Sequence, residues 1–393
     1  MDDRAVLVAG GGIGGLALAL GLVRLGVPVH VLERAPEIRE VGAGIGVMPN
    51  AVRVLDRLGV GDAVRRAGTP LTVLEGCCWQ GRTLTRMPLD RILPGSGEAI
   101  YVVHRADLQG ALLRALPPGV VRTDAEVTGF APGLGGVEAH LSGGGTVTGA
   151  LLVGADGLGS AVRAVLRGPE PLRYSGQTCY RGIARYRPAD PEVIREVQGP
   201  GQRASVIPID GERAYWWAAL NAPRAETEDP DGRRERLLRL YEGWPFGIPE
   251  AVERTTGLIL RNDLVDRRPV SRWGEGRVTL LGDAAHPMLP NLGQGGGTAL
   301  EDALVLARCI AADGPIPAAL REYEAARIPR TTRLVRHSWA FGIAARWRRR
   351  GAVRLREMLV RATPDRTAVA AFRFQVGYDV GALAPPGPAA GVH

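Results

Sequence analysis

The stretch GDAAHPMLPNLGQGGG (282–297) gathers an acid, a histidine, two prolines and five glycines into sixteen residues. Asp283 and His286 admit three readings: a proton-transfer pair, half of a metal site, or an acceptor and a loop residue in a cofactor cradle. The first two need partners that the chain does not offer nearby. There is no G-x-S-x-G, and the other histidines (His30, His104, His140, His337, His393) are scattered. No metal site is expected. The third reading has local support. VTLL (278–281) reads as a buried strand, and Asp283 lies just past its C-terminal end, where open α/β sheets bind ligands. GQGGG then opens a helix, whose free N–H groups would point at an anionic or electron-rich ligand.

A second glycine cluster lies near the start. In AVLVAGGGIGG, Gly10, Gly12 and Gly15 make the spacing G-x-G-x-x-G. Gly10 permits the tight turn, Gly12 lets backbone approach a pyrophosphate, and Gly15 allows close helix–strand packing. VPVHVLER follows as a strand ending at Glu33, placed to accept from a ribose 2′-hydroxyl. Strand, turn, helix, strand and acid in register predict an adenine-dinucleotide site for FAD or NAD, because the acid disfavours a 2′-phosphate. A third element, GADGLGSAVR (154–163), follows the strand ALLV. Asp156 and Gly157 would again bring carboxylate and backbone near a cofactor, although Asp-Gly is also a common turn.

These motifs need positioning elements. Periodicity predicts helices over 50–68 and 104–116 and a β-meander over 121–153. Residues 174–265 form a β-rich layer interrupted by the helix DGRRERLLRLYEGW, helices run from 316 to 370, and the tail GALAPPGPAAGVH is expected to be disordered. The expected fold class is α/β, with a discontinuous Rossmann-like dinucleotide domain (1–71, 100–172, 272–335). An inserted β-sheet substrate domain (72–99, 173–271) and C-terminal helices with the tail (336–393) complete it.

The three motifs, in this order, resemble the flavoprotein monooxygenases of the para-hydroxybenzoate hydroxylase type. GAGIGVMPNAVRVLDRLG (42–59) and VHRADL (103–108) match the family's pattern as well. The resemblance implies non-covalent FAD. Gly12, Ile13, Gly14 and Gly15, with Gly10, would hold its pyrophosphate, and Glu33 and Arg34 its adenosine ribose. Val127 would flank the adenine, and Arg105 would reach the pyrophosphate or ribityl chain. Gly44, in the matching GAGIG segment, and Asp156 would also serve the cofactor, and Asp283 would bond the ribityl hydroxyls. Gly293, Gln294, Gly295, Gly296 and Gly297 would line the isoalloxazine. The helix dipole there would stabilise negative charge on the reduced ring. The implied reaction has two halves. Hydride comes from NADH or NADPH, which visits without a second Rossmann unit. A flavin C4a-hydroperoxide then passes one oxygen atom of O2 to an electron-rich small molecule, in a pocket that must exclude water. Pro287 and Pro290 would wall that pocket. Epoxidation, Baeyer–Villiger insertion, or a dehydrogenase or reductase on the same scaffold are the alternatives. The substrate is expected to be an aromatic or polyunsaturated specialised metabolite.

In RAYWWAAL, strand alternation places Tyr215 and Trp217 on one face and Trp216 on the other. Tyr215 and Trp217 would stack on a substrate, or that face would simply pack on the inserted helix. Arg203 and Arg181 are candidate anchors for a carboxylate or enolate. YSGQTCYRGIARYRP resembles the zeaxanthin-epoxidase and urate-hydroxylase side of the family, and Arg203 and Tyr215 match substrate residues of the latter. Asn291 departs from it: an acid stands at the matching position, and an amide cannot act as a carboxylate base, so urate oxidation is not expected. Pro290, Asn291, Arg203 and Tyr215 are the candidate catalytic residues. WPFGIP (244–249) approaches a flavin-halogenase signature, but the second tryptophan is replaced by Phe246 and the required lysine is missing.

All 49 basic residues are arginine, which removes lysine-dependent P-loop and Schiff-base chemistry. The net charge is +8, and RWRRR (346–350) is the one dense run. It reads as a solvated helix face rather than a nucleic-acid or membrane contact. The uncharged stretch 5–23 carries six glycines and reads as a turn-containing βα unit, not as an anchor. Four cysteines without a CxxC fit a reduced, cytoplasmic setting, for a monomer or homodimer.

Overall fold

A computed structural model describes residues 4–38 and 43–383. The uncharged segment folds as predicted into the strand Val6–Ala9, a glycine turn and the helix Ile13–Arg24. Among the described residues no helix is long and apolar enough to cross a membrane. The strand is the centre of a five-stranded parallel sheet, in the order Val278–Leu280, Leu151–Gly154, Val6–Ala9, Val29–Leu32, Val121–Arg122. Both faces are covered, so these strands are continuous apolar runs rather than alternating ones. The three motifs start at the C-terminal ends of three adjacent strands of this sheet. That is how segments separated by up to 270 residues come to one edge.

A seven-stranded sheet supplies the second layer. Its order is Thr255–Asp266, Arg173–Ala184, Ala214–Asn221, Gln202–Pro208, Val193–Gly199, Val73–Cys78, Thr83–Pro88. All its pairs are antiparallel except Val193–Gly199 with Val73–Cys78. One face carries Tyr180, Trp216, Ala218 and Ala204, packed under the short helices Arg233–Leu240 and Ile248–Glu253. The other face carries Arg181, Arg203, Tyr215 and Trp217 and turns toward the parallel-sheet layer. Trp244 of the halogenase-like stretch packs edge-on against Tyr241 in the helix-covered core.

The expected helix over 50–68 is two helices, Pro49–Arg57 and Gly61–Ala67. Gly59 breaks it, with a left-handed φ of 66° that ends the first helix and turns the chain. The predicted meander is the three-stranded antiparallel sheet 127–149. Three helices, Ile316–Ala345, Arg350–Ala362 and Asp365–Val376, complete the C-terminal part. Most of the tail for which disorder is expected (384–393) lies outside the described residues, as does Gly42.

Candidate functional site

At the nucleotide end, the glycines divide by role. Gly10 has a φ of 106°, and a Cβ there would lie 2.6 Å from the Ala155 carbonyl oxygen. A Cβ on Gly15 would fall 2.0 Å from the Gly10 carbonyl, and one on Gly14 would press on Leu281 at 2.6 Å. These three hold the turn, the helix and the neighbouring motif together. Gly12 differs, because a Cβ there would meet nothing within 4 Å. Open space over the first turn of Ile13–Arg24, where N–H groups have no helical acceptor, fits a pyrophosphate. The Ile13 side chain is buried in the core, so only its backbone could serve such a ligand.

Glu33 reaches back across this turn. One carboxylate oxygen accepts from the Gly11 N–H at 2.6 Å, the other from the Ala35 N–H at 2.9 Å. Lone pairs remain for a ribose hydroxyl. Gln109, which the sequence reading missed, donates to the Gly11 carbonyl at 2.9 Å and fixes the turn from a second side. Arg34 is exposed beside it, and Val127 is buried in the core at the start of its strand.

Asp156 caps the helix Ala161–Arg167. One oxygen accepts from the Ala161 and Val162 N–H groups at 2.8 and 3.3 Å, while the other is buried without a partner. Burial raises its pKa against those hydrogen bonds. Arg163, seven residues on in the same motif, is buried and donates to the Ala284 and Ala285 carbonyls at 2.9 and 2.8 Å. The second motif therefore clamps the third, a role that only the fold reveals.

Asp283 sits in the short 3-10 turn Gly282–Ala284. Its side chain is exposed at the surface yet is crowded by protein. That crowding raises its pKa, and His286 and Arg105 pull it the other way. The two predicted cofactor residues Asp283 and Arg105 thus share one electrostatic environment. We expect Asp283→Ala to weaken FAD binding roughly 10–100-fold, the loss of about 1.5–3 kcal/mol from hydrogen bonds to a charged group. Flavin fluorescence titration measures it, and unchanged affinity would place Asp283 outside the cradle.

His286 is not a catalytic partner of Asp283. Its Nε2 lies 2.5 Å from Asp302, about two turns along the following helix, and its ring packs near Trp273. Asp302 also accepts from Arg327 at 2.7 Å, and Arg327 donates to Glu301 at 2.6 Å. Glu301 takes Arg330 on both oxygens and Asn50 at 2.7 Å, and Asn50 bridges to Gln294. Gln294 thus turns its side chain into the protein. The mid-helix pair Glu301–Asp302 within apolar TALEDALVLARCIAA was the available signal for this network.

The first turn of the Gly295–Ala311 helix follows Gly293, whose φ is 63°. The strand Gly44–Val47 lies against this turn: a Cβ on Gly296 would meet Ile45 at 3.0 Å, and one on Gly293 would meet Met48 at 2.8 Å. Gly297 is similarly tight against Asn50. Gly44, in the same strand, meets the other layer. A Cβ there would lie 2.3 Å from the Tyr215 ring, so its bare backbone seats Tyr215.

The substrate face brings Arg203 and Asn291 together across the two layers. Arg203 Nη2 donates to the Asn291 side-chain oxygen at 2.6 Å, and Nη1 reaches Glu196 at 3.3 Å. Trp217 and Phe341 stand 5.5 and 5.3 Å from its guanidinium. Asn291 donates its amide to the Ser338 carbonyl at 2.7 Å, so both its polar atoms are engaged. It braces Arg203 against the long C-terminal helix. Two donors on this face have no partner: Arg203 Nε and the Ser205 hydroxyl, both buried. Arg181 is electrostatically coupled to Cys179 and Tyr215 on the same face, and Pro290 is exposed at the start of its short helical turn.

A parallel sheet that gathers three glycine- and acid-bearing loops, with a second sheet facing them, has the build of a dinucleotide-dependent enzyme. The chain belongs to the FAD-binding-domain family of class A flavin monooxygenases, whose model matches residues 3–338. It is 41% identical over 358 residues to the aurachin C monooxygenase/isomerase of Stigmatella aurantiaca, covering 91% of this chain and 93% of that one. It is 36% identical over 367 residues to the 2-heptyl-3-hydroxy-4(1H)-quinolone synthase of Pseudomonas aeruginosa, covering 92% and 94%. Klebsiella pneumoniae HpxO, solved with FAD and uric acid, superposes with a TM-score of 0.89 at 30% identity, covering 97% and 98%. The protein is an FAD-dependent monooxygenase, and the expected mixed α/β fold is observed.

Proposed function

We propose that the substrate is a flat aromatic molecule carrying a ring oxo or enolate oxygen, of the 4(1H)-quinolone kind, oxygenated at a ring carbon with NADH or NADPH as reductant. The supporting observation is the pair of buried, unpartnered donors, Arg203 Nε and the Ser205 hydroxyl, beside Trp217. A buried donor left without an acceptor costs about 1–3 kcal/mol, and a substrate oxygen placed there would recover it. Trp217 and Tyr215 offer ring faces beside that anchor. The quinolone synthase relative is in line with this chemistry. The alternative of urate, the ligand in HpxO, is disfavoured because Asn291 is an amide engaged at both ends.

When bound, FAD supplies hydride acceptance and the activation of dioxygen. The chain's residues orient and shelter. Arg203 and Ser205 fix the acceptor oxygen, Arg203 favours a substrate with electron density on that oxygen, and Asn291 keeps the guanidinium in register. Arg181 adds positive charge on the same face. The free N-terminal N–H groups of the helix Gly295–Ala311 would help hold FAD and favour negative charge on it. All four cysteines are buried and free, which supports a reducing, cytoplasmic setting.

The test is NAD(P)H oxidation, with peroxide measured alongside, in the presence of an alkyl-4(1H)-quinolone, urate or 3-amino-4-hydroxybenzoate. The quinolone should stimulate oxidation and yield little peroxide. Stimulation by urate alone would overturn the assignment. Ser205→Ala should lower kcat/KM for the quinolone roughly 2–10-fold, matching about 0.5–1.5 kcal/mol for one hydrogen bond. FAD content should not change.

A further inference from the structure

The helix Arg350–Ala362 carries an aliphatic stripe that the fold does not bury. Leu355, Met358 and Leu359 are 45%, 58% and 52% exposed. Their i, i+3, i+4 spacing puts them on one face. The opposite face holds buried Val353 and Arg356. Arg350, Arg354 and Arg361, at i, i+4 and i+11, line one flank of the stripe. All three are exposed and make no ion pair among the described residues. Arg346, Arg348 and Arg349 precede them in the RWRRR run and are exposed too. The solvated-face reading of that run suits the arginines but leaves the aliphatic stripe unexplained.

We propose that this helix lies on an anionic lipid surface, with the aliphatic side chains in the acyl boundary and the arginines at the headgroups. A strongly amphipathic, arginine-flanked helix about 20 Å long has the build of an interfacial element. The charge selects this occupant over the other two. A second copy docked with the two helices antiparallel about a two-fold would set arginine flank against arginine flank, a like-charge contact that costs affinity. A nucleic acid would leave Leu355, Met358 and Leu359 without a partner, since the exposed stripe has no aromatic ring for base stacking. The only carboxylate on the helix, Glu357, is already paired with Arg82.

The docking has a consequence for the substrate layer. Arg356, on the inner face, donates to the Gly199 carbonyl at 3.1 Å, at the end of the strand Val193–Gly199. That strand pairs with the one bearing Arg203. A docked helix therefore brings this strand end of the substrate sheet to the membrane, where an alkyl-bearing aromatic substrate would partition.

The experiment uses the FAD-loaded full chain in flotation with vesicles of phosphatidylcholine alone or with 30% phosphatidylglycerol, and needs no turnover. We expect at least tenfold more protein bound to the anionic vesicles, with binding falling as salt rises. The L355S/M358S/L359S and R350Q/R354Q/R361Q variants should each lose most of it. All six side chains are exposed, so both should keep bound flavin and an unchanged thermal transition. Equal or absent binding to both vesicle types overturns the proposal. So does a dimer that the aliphatic variant dissociates without any vesicle binding, or capture of a DNA duplex that only the arginine variant abolishes.

Discussion

Replacing Arg327 with leucine is expected to lower stability by about 3–5 kcal/mol, the usual cost of leaving buried carboxylates without their cation. Arg327 is fully buried and donates to both Asp302 and Glu301, so one substitution strands two acids. Differential scanning of the FAD-loaded protein should show the transition about 10 °C lower. A loss of only one or two degrees would mean that Arg330 and His286 compensate. The same network sets a pH dependence. Burial by itself would raise the Asp302 pKa, but His286 and Arg327 hold it at about 2, below its ordinary 3.8. A carboxylate depressed on folding stabilises above its unfolded pKa, and that stability is lost as pH falls through the folded one. The Asp302 contribution should therefore be intact above about pH 4 and disappear toward pH 2. A transition temperature flat across that interval would contradict it. Because the network joins Asn50, Gln294 and His286, its loss would also loosen both ends of the loop 286–294.

Arg203→Leu is expected to reduce kcat/KM for the proposed substrate by roughly 10–100-fold, from the loss of about 1.5–3 kcal/mol of charged hydrogen bonding. FAD affinity should be untouched, because Arg203 lies on the facing sheet. Peroxide should rise as a share of the NAD(P)H consumed, since an unanchored substrate fills the pocket poorly. A companion change separates charge from bracing. Asn291→Asp would pair with Arg203 and neutralise it, while turning a carboxylate oxygen toward the Ser338 carbonyl that now accepts the amide. The expected outcome is weaker quinolone stimulation, with the flavin spectrum retained. Unchanged coupling and substrate choice in both variants would remove this corner from the substrate pocket.

The sequence by itself determined what depends on local geometry. A strand, a glycine turn and a helix predicted the dinucleotide unit at Gly10–Gly15 and Glu33, because pyrophosphate cradles require glycine at particular backbone positions. Alternation in RAYWWAAL separated Trp216, packed under the inserted helices, from Tyr215 and Trp217 on the opposite face. Periodicity could not show that Gly59 ends a helix, since an isolated glycine breaks one only where the chain has reason to turn.

Tertiary structure decided the long-range polar partners. Gly44 belongs to a motif matched in the sequence, and only in three dimensions does it also seat Tyr215 from the other layer. His286 looked paired with Asp283, three residues away, but bonds Asp302 on the next helix. Asn291 read as an altered catalytic acid and proves to be a brace between Arg203 and the long helix. Arg163 sits inside a quoted motif, but its carbonyl partners lie more than 120 residues on. The physical reason is common to His286, Asn291 and Arg163. Backbone conformation is governed by near neighbours, so it is written in short motifs. A buried side chain must find its hydrogen-bond partner wherever the packed layers bring one.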